Sequence, residues 1–305
     1  MKMRIGSRGS PLARGQANWV MTELQKKNPQ LDLSLTIIKT TGDKDPHSAL
    51  TKMGGKGVFV KEIEEALLAK RIDLAVHSLK DVPQMLPSGL QMGPYPRRET
   101  PNDALISRFG ELLRELPRGS IVGTSSPRRI SQIFFHYKDR YRIEPIRGNV
   151  ETRIQKLRKG EYDAILMACA GLKRLGLESE ITEVIDVHQM IPAPGQGCLG
   201  LEYREENEEM SAILDTISDK ESDITARAER SFLQGMGGSC LIPLGGLARI
   251  EGNELILKAV ILTPNGEKRV EIEEKGDPSE PEFLGGQVAE RLLHEGGSDI
   301  LLKIQ

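Results

Sequence analysis

The chain has few cysteines, and their spacing argues against the structures that cysteines usually support. Its 305 residues contain Cys169, Cys198 and Cys240, and none of the three stands in a CxxC pair. An odd number of cysteines without paired spacing argues against a disulfide framework and against a zinc site. The sequence also lacks an HExxH motif and any cluster of histidines and cysteines, so we expect no bound metal.

Long apolar segments and an excess of positive charge are also missing. No continuous apolar stretch reaches the length of a membrane span, and the first residues, MKMRIGSRGSPL, lack the apolar core of a secretory signal. We therefore expect a cytoplasmic protein that does not bind a membrane. The 42 lysines and arginines are balanced by 44 aspartates and glutamates. This balance argues against a generally basic nucleic-acid binder, so any positive field must be local.

Arginines supply such local charge at three turns, each of which leads from a predicted strand into a predicted helix. The start of a helix offers unpaired backbone N–H groups and the positive end of a dipole, and guanidinium groups add forked donors for carboxylate or phosphate. Three such turns predict a ligand with several negative charges. The turns are SRGSPLARGQ (7–16), GTSSPRRISQ (123–132) and IRGNVETR (146–153).

The order of predicted elements indicates an α/β fold over the first two thirds of the chain. A short strand at 3–7 leads into a helix that begins at Ser10 and Pro11, and strands and helices then alternate. This order favours parallel sheets covered by helices. CLGLEYR (198–204) is predicted to return to the first sheet, and residues 109–116 are predicted to form a helix.

The last third of the chain predicts an α+β arrangement instead. Apolar and polar residues alternate in ARIEGNELILKAVIL and KRVEIEE, which is typical of half-buried strands. Turn signals at Gly252-Asn253 and Asn265-Gly266 join these segments. We therefore expect an antiparallel sheet and a separate C-terminal domain.

Asp81 is the best candidate for an acid–base or cation-stabilising carboxylate. It belongs to HSLKDVP (77–83), which ends a buried apolar strand, and ligands bind at the carboxyl ends of strands in parallel sheets. A carboxylate at that position can stabilise positive charge or move a proton. The alternative is an ordinary turn aspartate before Val-Pro, and the three arginine turns favour the functional interpretation.

Cys240 stands in a glycine-rich loop, GMGGSCLIPLGG (235–246). A free cysteine usually packs in a core, as the apolar surroundings of Cys169 and Cys198 predict for those two residues. For Cys240, a packed small residue and a covalent attachment site are both open interpretations. The flexibility of the glycines favours attachment.

A second glycine-rich stretch, KMGGKGVFVKE (52–62), precedes a predicted helix. It lacks the GxxxxGK[ST] arrangement, and the other glycine loops lack the GxGxxG dinucleotide pattern, so nucleotide binding is not predicted. One interpretation is a flexible basic lid in which Lys52, Lys56 and Phe59 are the candidate residues. The other is an ordinary glycine turn.

Together these motifs resemble those of the porphobilinogen deaminase family, also called the hydroxymethylbilane synthase family. The resemblance covers essentially the whole chain, and it depends on the joint occurrence of motifs in one order, since each alone is weakly specific. The motifs are RGSPLAR, MGGKGVFVKE, DLAVHSLKDVP, GTSSPRR, IRGNVETR, YDAILMACAGLKRLGL, IPAPGQG and GSCLIPLG.

The resemblance implies three domains. The first two are implied to be α/β lobes like those of type II periplasmic binding proteins around a cleft. The third is implied to be a smaller α+β domain with an antiparallel sheet, which carries the attachment cysteine. The implied boundaries are 1–97 with 194–216 for the first domain, 98–193 for the second and 217–305 for the third.

The resemblance also implies a transferase of tetrapyrrole and heme biosynthesis. Such an enzyme joins four porphobilinogen molecules head to tail, with loss of ammonia, into the linear tetrapyrrole hydroxymethylbilane. The family builds this product on a dipyrromethane cofactor bound through a cysteine thioether, and then releases it by hydrolysis. Each porphobilinogen carries an acetate and a propionate, which agrees with the planar, bidentate arginines at the three turns.

The resemblance assigns roles to individual residues. Asp81 matches the catalytic aspartate, which also contacts the cofactor, and Cys240 matches the thioether cysteine. Ser239 stands where the family has glycine, so the local backbone differs if that glycine needs a positive φ. Further residues implied to contact the cofactor are Ser78, Lys80, Thr124, Ser125, Ser126, Arg128, Arg129 and Gly148. Residues implied to contact the substrate are Arg8, Ser10, Gln16, Arg147, Arg153 and Gln196.

Two other classes of protein stay open. A soluble anion-binding protein explains the arginines without catalysis, but it has no use for a reactive cysteine loop. A nucleotide-dependent transferase explains basic glycine loops, but neither phosphate-binding motif is present. An adduct of two pyrrole units on Cys240 separates the deaminase from both. The family is generally monomeric, and we expect a monomer.

Overall fold

The structure is a computed structural model that describes residues 2–41, 60–238 and 242–304. The chain divides into two compact units. The first unit contains Met1–Glu99 with Cys198–Ala226, and the second contains Thr100–Gly197 with Arg227–Gln305. Within the described ranges, no helix combines the length and the apolar composition that crossing a membrane requires.

The described residues form strands and helices that alternate over most of the chain. The strands are β1 (Lys2–Arg8), β2 (Asp32–Ile38), β3 (Leu74–Ser78), β4 (Leu90–Met92), β5 (Asp103–Ser107), β6 (Ile121–Gly123), β7 (Arg142–Glu144), β8 (Ala164–Ala168), β9 (Glu183–Val184), β10 (Leu199–Arg204), β11 (Leu244–Glu251), β12 (Glu254–Leu262) and β13 (Arg269–Gly276). The helices are α1 (Pro11–Lys27), α2 (Lys61–Leu68), α3 (Pro127–Tyr137), α4 (Val150–Arg158), α5 (Cys169–Arg174), α6 (Glu208–Asp215), α7 (Lys220–Gly235), α8 (Pro281–Leu292) and α9 (Ser298–Leu302).

The first unit contains a five-stranded sheet in the order β2-β1-β3-β10-β4. The strands β1, β2 and β3 are parallel, whereas β10 runs antiparallel to both β3 and β4. The predicted return of CLGLEYR to the first sheet is therefore confirmed. Helix α1 packs on one face through Ala17 and Val20, and α2 contributes Ile63 and Leu67 to a second apolar cluster with Ala75 of β3.

The second unit contains a five-stranded sheet of the same pattern, in the order β7-β6-β8-β5-β9. Here β6, β7 and β8 are parallel, and β5 is antiparallel to β8 and β9. The likeness between the two five-stranded sheets includes individual hydrogen bonds. The carboxylate of Asp73 accepts the backbone N–H of Arg4 at 2.9 Å, and the carboxylate of Asp163 accepts that of Ile121 at 2.7 Å. Strands β1 and β6 thus hold equivalent positions, and each leads to a Ser-Pro helix start.

The second unit also contains a three-stranded antiparallel sheet in the order β11-β12-β13. Its two tight connections contain Gly252 and Gly266, which have φ values of 61° and 70°, as the predicted turns require. Helix α8 packs against β12 and β13. The predicted fold class, two α/β lobes with a smaller antiparallel C-terminal part, is confirmed, although each five-stranded sheet is mixed and not wholly parallel.

One predicted helix is wrong. Within 109–116, only Leu113–Glu115 are helical, and they form a short 3-10 turn. Gly110 adopts a φ of 91°, which no right-handed helix contains, and Leu116 before Pro117 has an extended ψ of 134°. The short strands β4 and β9 and the helix α5 were not predicted.

Candidate functional site

The predicted site residues of the first unit lie where β1 and β3 end. These strands are parallel neighbours, so their carboxyl ends share one edge of the sheet. Ser10 begins α1, because its side chain accepts the backbone N–H of Ala13 at 3.2 Å and Pro11 follows it. Gln16 is 3% exposed, and its Nε2 donates to Oγ of Ser78 at 2.8 Å. This bond joins α1 to the end of β3.

Asp81 is exposed at the end of a short 3-10 turn, Leu79–Asp81, that directly continues β3. Leu79 and Val82 on either side are buried and fix the backbone of this turn. Lys80 lies half-buried between them, and Arg8 is half-buried at the end of β1. The structure therefore presents a carboxylate to solvent on a backbone that is anchored by apolar packing.

The second unit holds two of its four predicted arginines, Arg128 and Arg129, in a buried cluster around Asp103. Asp103 is fully buried, and its two carboxylate oxygens accept bonds from Arg128 Nη1 at 2.6 Å and Nη2 at 3.2 Å. Arg129 adds bonds from Nε at 3.0 Å and from Nη2 at 2.6 Å. Two backbone carbonyls accept further bonds, that of Ile191 from Arg128 Nη1 at 2.9 Å and that of Leu166 from Arg129 Nη1 at 2.9 Å.

The charges in this cluster do not cancel. Burial opposes the ionisation of Asp103, but the charges of Arg128 and Arg129 outweigh it and hold the pKa of Asp103 well below its ordinary value. Two guanidinium groups against one carboxylate leave one net positive charge. In addition, Nε of Arg128 is buried and has no hydrogen-bond partner among the described residues. A buried N–H group without a partner is costly, and an anionic ligand would satisfy it.

Gln196 supports the cluster from the IPAPGQG segment. It is buried, and its Nε2 donates to Asp103 Oδ1 at 3.0 Å and to the carbonyl of Pro101 at 2.6 Å. Gln132 holds the start of the same segment, because it donates to the carbonyl of Ile191 at 3.0 Å and accepts the N–H of Ile191 at 2.8 Å. The predicted contact of Gln196 with substrate stays a prediction.

The two arginine turns of the second unit are connected by a serine. Oγ of Ser125 donates to the carbonyl of Ile146 at 2.9 Å and accepts its N–H at 3.1 Å. Thr124 is buried, and its Oγ1 accepts the N–H of Ser126 at 3.2 Å. Ser126 precedes Pro127 of α3, and its hydroxyl makes no capping bond to the helix. The helix start of α3 therefore lies next to the turn that begins α4.

The second of these turns requires glycine. Gly148 has a φ of 116°, and a Cβ added there would lie 2.9 Å from Cβ of Thr152. Asn149 caps α4 by accepting the N–H of Thr152 at 2.8 Å. Arg153 donates from Nε to the carbonyl of Gly148 at 2.8 Å, and Arg147 is half-buried. The predicted residues Arg147, Gly148 and Arg153 thus lie together at one helix N-terminus.

The glycine-rich loop predicted to carry the attachment cysteine (235–246) is described except for residues 239–241. Helix α7 ends at Gly235, and Gly237 and Gly238 then adopt φ values of 81° and 55°. Ser239 and Cys240 lie outside the described residues. The candidate lid residues, Lys52, Lys56 and Phe59, also lie outside them. The other two cysteines, Cys169 and Cys198, are both buried, as predicted.

A buried group of ionisable side chains lies behind the strand that leads to Asp81. His77 Nε2 and Glu202 Oε2 are 3.0 Å apart, and Glu202 Oε1 is buried without a hydrogen-bond partner in the described structure. Glu64 of α2 is also buried. Burial and the charge of Glu202 raise the pKa of Glu64 to about 7, and His77 partly opposes the shift.

The sequence motifs do not identify Asp103 or the buried glutamates as parts of the site. Asp103 binds side chains that are 25 and 26 positions away, and such a contact leaves no local spacing to detect. The one available signal was a charged residue at the start of the apolar strand DALIS. A charge that begins a fully buried strand needs a partner of opposite sign.

Two solved structures are similar to this chain at low sequence identity. A substrate binding domain from Lactococcus lactis is 13% identical with a TM-score of 0.44, and the match covers 77% of this chain and 90% of that one. The L-cystine solute receptor of Neisseria gonorrhoeae is 12% identical with a TM-score of 0.39, covering 78% and 88%. These likenesses are too distant to support a conclusion about ligand or activity.

Sequence comparisons are more specific. The family described as "Porphobilinogen deaminase, dipyromethane cofactor binding domain" matches residues 3–212, and "Porphobilinogen deaminase, C-terminal domain" matches residues 224–294. Porphobilinogen deaminase of Desulforudis audaxviator is 44% identical over 301 residues, which are 99% of this chain and 97% of the relative. That of Geotalea uraniireducens is 45% identical over 302 residues, covering 99% and 94%. The resemblance seen in the motifs is confirmed, and the chain belongs to the porphobilinogen deaminase family.

Proposed function

We propose that this chain joins four porphobilinogen molecules head to tail, with loss of ammonia, into hydroxymethylbilane on a dipyrromethane primer, and then releases the product by hydrolysis. The observation that carries the proposal is the buried cluster of Asp103, Arg128 and Arg129. It keeps one net positive charge and one buried N–H group of Arg128 without a partner. Both features match a ligand whose rings each carry two carboxylates.

The residues of the second unit fit the cofactor that the family uses. The Nε atom of Arg128 is an orphaned donor, and a carboxylate is the acceptor that suits a guanidinium group best. Arg129, Gly148 and the hydroxyl groups of the 124–126 turn are further proposed cofactor contacts. When bound, the cofactor supplies the pyrrole carbon from which the product grows. We propose Cys240 as its thioether attachment.

The residues of the first unit are proposed to act on the reacting rings. The exposed carboxylate of Asp81 accepts hydrogen bonds from pyrrole N–H groups, which stabilises positive charge on those nitrogens and provides a base for the proton that leaves carbon. Ser78 and Lys80 are proposed cofactor contacts on the same turn. Arg8, Ser10 and Gln16 at the neighbouring strand end, and Arg147, Arg153 and Gln196 in the second unit, are proposed to contact the substrate.

The test is a stoichiometry measurement with porphobilinogen and the purified chain. We expect four ammonia molecules for each linear tetrapyrrole released. A protein that only binds anions would bind porphobilinogen and release no ammonia. A nucleotide-dependent transferase would consume porphobilinogen only when a nucleotide is added. Either result would contradict the proposal.

We further propose that the enzyme acts as a monomer in the cytoplasm, needs no metal, and has the three domains 1–97 with 194–216, 98–193 and 217–305. The three separate sheets support this division. Light scattering after gel filtration tests the monomer, and activity after dialysis against EDTA tests metal independence. Limited proteolysis tests the domains, since cuts are expected near residues 97, 193 and 216.

A further inference from the structure

We propose that Asp103 is a positioning residue for the cofactor: its carboxylate orients the guanidinium forks of Arg128 and Arg129 so that they are ready for a ligand carboxylate. This inference rests on the proposed function, because it assigns the two arginines to the cofactor. Asp103 itself is fully buried and touches ligand only through them.

The geometry indicates that Asp103 orients the two guanidinium groups and does not only neutralise their charge. Arg128 donates two bonds to Asp103 and Arg129 donates two, from different edges of their guanidinium groups. Arg128 uses Nη1 and Nη2, so its Nε edge is left over, and that Nε is the buried atom without a partner among the described residues. A pair that served stability alone would have no reason to leave a buried donor unused.

The position of the carboxylate is fixed from two further elements. Gln196 donates to Asp103 at 3.0 Å, and the N–H of the preceding Gly195 donates to Oε2 of Glu229 at 2.6 Å. Oε1 of the same glutamate accepts the N–H of Ala248 in β11 at 2.8 Å. Glu229 is fully buried in α7. The cluster is thus joined through one segment to the helix and the strand that flank Cys240 in sequence.

Removing the negative charge at position 103 has a measurable consequence. With Asp103 ionised, the cluster has one net positive charge; with asparagine there, two neighbouring guanidinium charges are buried with no anion between them. Such an arrangement is unfavourable without a ligand. An added anion should therefore stabilise the Asp103→Asn chain more than the parent chain, because anion binding relieves the repulsion. A cluster that serves only structure predicts a loss of stability in Asp103→Asn without slower cofactor loading by the folded chains.

Two variants separate charge from position. Asp103→Asn removes the charge, and Asp103→Glu keeps the charge but moves the carboxylate by one methylene. The control is Asp163→Asn in the same unit, where the carboxylate accepts the backbone N–H of Ile121 away from the cluster. The first measurement is intact mass after apo chain is incubated with porphobilinogen, expressed as the fraction of folded chains that carry the two-pyrrole adduct.

We expect both Asp103 variants to load at least tenfold more slowly than the parent, and Asp163→Asn to load at the parent rate. The second measurement is the melting temperature with succinate against chloride at equal ionic strength, in chains that also carry Cys240→Ser. Succinate should raise the melting temperature of Asp103→Asn at least twice as much as that of the parent and of Asp103→Glu.

The inference is overturned if Asp103→Asn loads at the parent rate, or if succinate stabilises it no more than the parent. Should Asp103→Asn fail to fold, slow loading by folded Asp103→Glu still supports the inference, and parent-like loading overturns it. A parent chain that never acquires an adduct contradicts the proposed function instead, and the succinate measurement then still tests whether Asp103 balances the two guanidinium charges.

Discussion

Glu64→Gln should stabilise the protein at alkaline pH. Glu64 is 8% exposed on α2, and its pKa is raised to about 7, first by burial and then by the charge of Glu202. Glu65 adds to the shift, and His77 opposes it. Glutamine keeps the size of the side chain and cannot ionise, so it removes the cost of placing a second carboxylate charge beside Glu202.

The sign and the size of the effect follow from the two pKa values. An unfolded glutamate loses its proton near pH 4.5, whereas folded Glu64 keeps it until about pH 7. The contribution of Glu64 to stability is therefore fully present below pH 4.5 and is lost as pH rises through 7. The whole shift corresponds to at most roughly 3 kcal/mol.

Urea denaturation at pH 5 and at pH 8 measures this directly. The free energy of unfolding of Glu64→Gln, relative to the parent chain, should increase by about 2 kcal/mol between the two pH values. Glu65→Gln is the matched control, because Glu65 is exposed on the same helix. The difference in unfolding free energy between this variant and the parent chain should change little between pH 5 and pH 8. An equal difference at both pH values for Glu64→Gln would refute the reasoning.

Three further predictions concern the site, and Gly286→Ala is a comparison variant outside it. Asp81→Asn should keep the melting temperature, because Asp81 is exposed, and should reduce ammonia release at least about 100-fold; near-normal release would remove Asp81 from the mechanism. Gly148→Ala should lower stability by about 1–3 kcal/mol in urea titrations, because of its positive φ and the contact with Thr152. Gly286→Ala, at an exposed helical position with open space, should instead stabilise by about 0.5–1 kcal/mol, and the reverse order would contradict both. Arg129→Lys should slow adduct formation measured by intact mass, because a single ammonium group cannot replace its two bonds to Asp103; a parent-like rate would argue against the forked contact.

Much of the fold was predictable where the signal is local. The helix α1 begins where Ser10 and Pro11 predict it, since capping depends on neighbouring residues. The hairpin turns at Gly252 and Gly266 follow from their need for a positive φ. The helix predicted at 109–116 does not form, because Gly110 adopts a positive φ that a right-handed helix does not accommodate. The two-residue strand β9 is too short to leave a periodic pattern.

The sequence predicts the groups proposed to contact a ligand better than it predicts the contacts that hold them in place. The arginines, Asp81 and Cys240 stand in motifs, whereas their supports are contacts between residues distant in sequence. Asp103 is the clearest case, because the sequence around Arg128 gives no hint that one carboxylate holds both neighbouring forks. Only the folded sheet brings the start of β5 beneath the start of α3.

The most direct test of the account is the intact mass of the purified, catalytically active chain, followed by peptide mapping. We predict the mass of the polypeptide plus two pyrrole units, located on Cys240, lost in Cys240→Ser and retained in Cys198→Ala, whose thiol is buried. An active chain with the bare polypeptide mass, or an adduct that maps to another residue, would contradict the account.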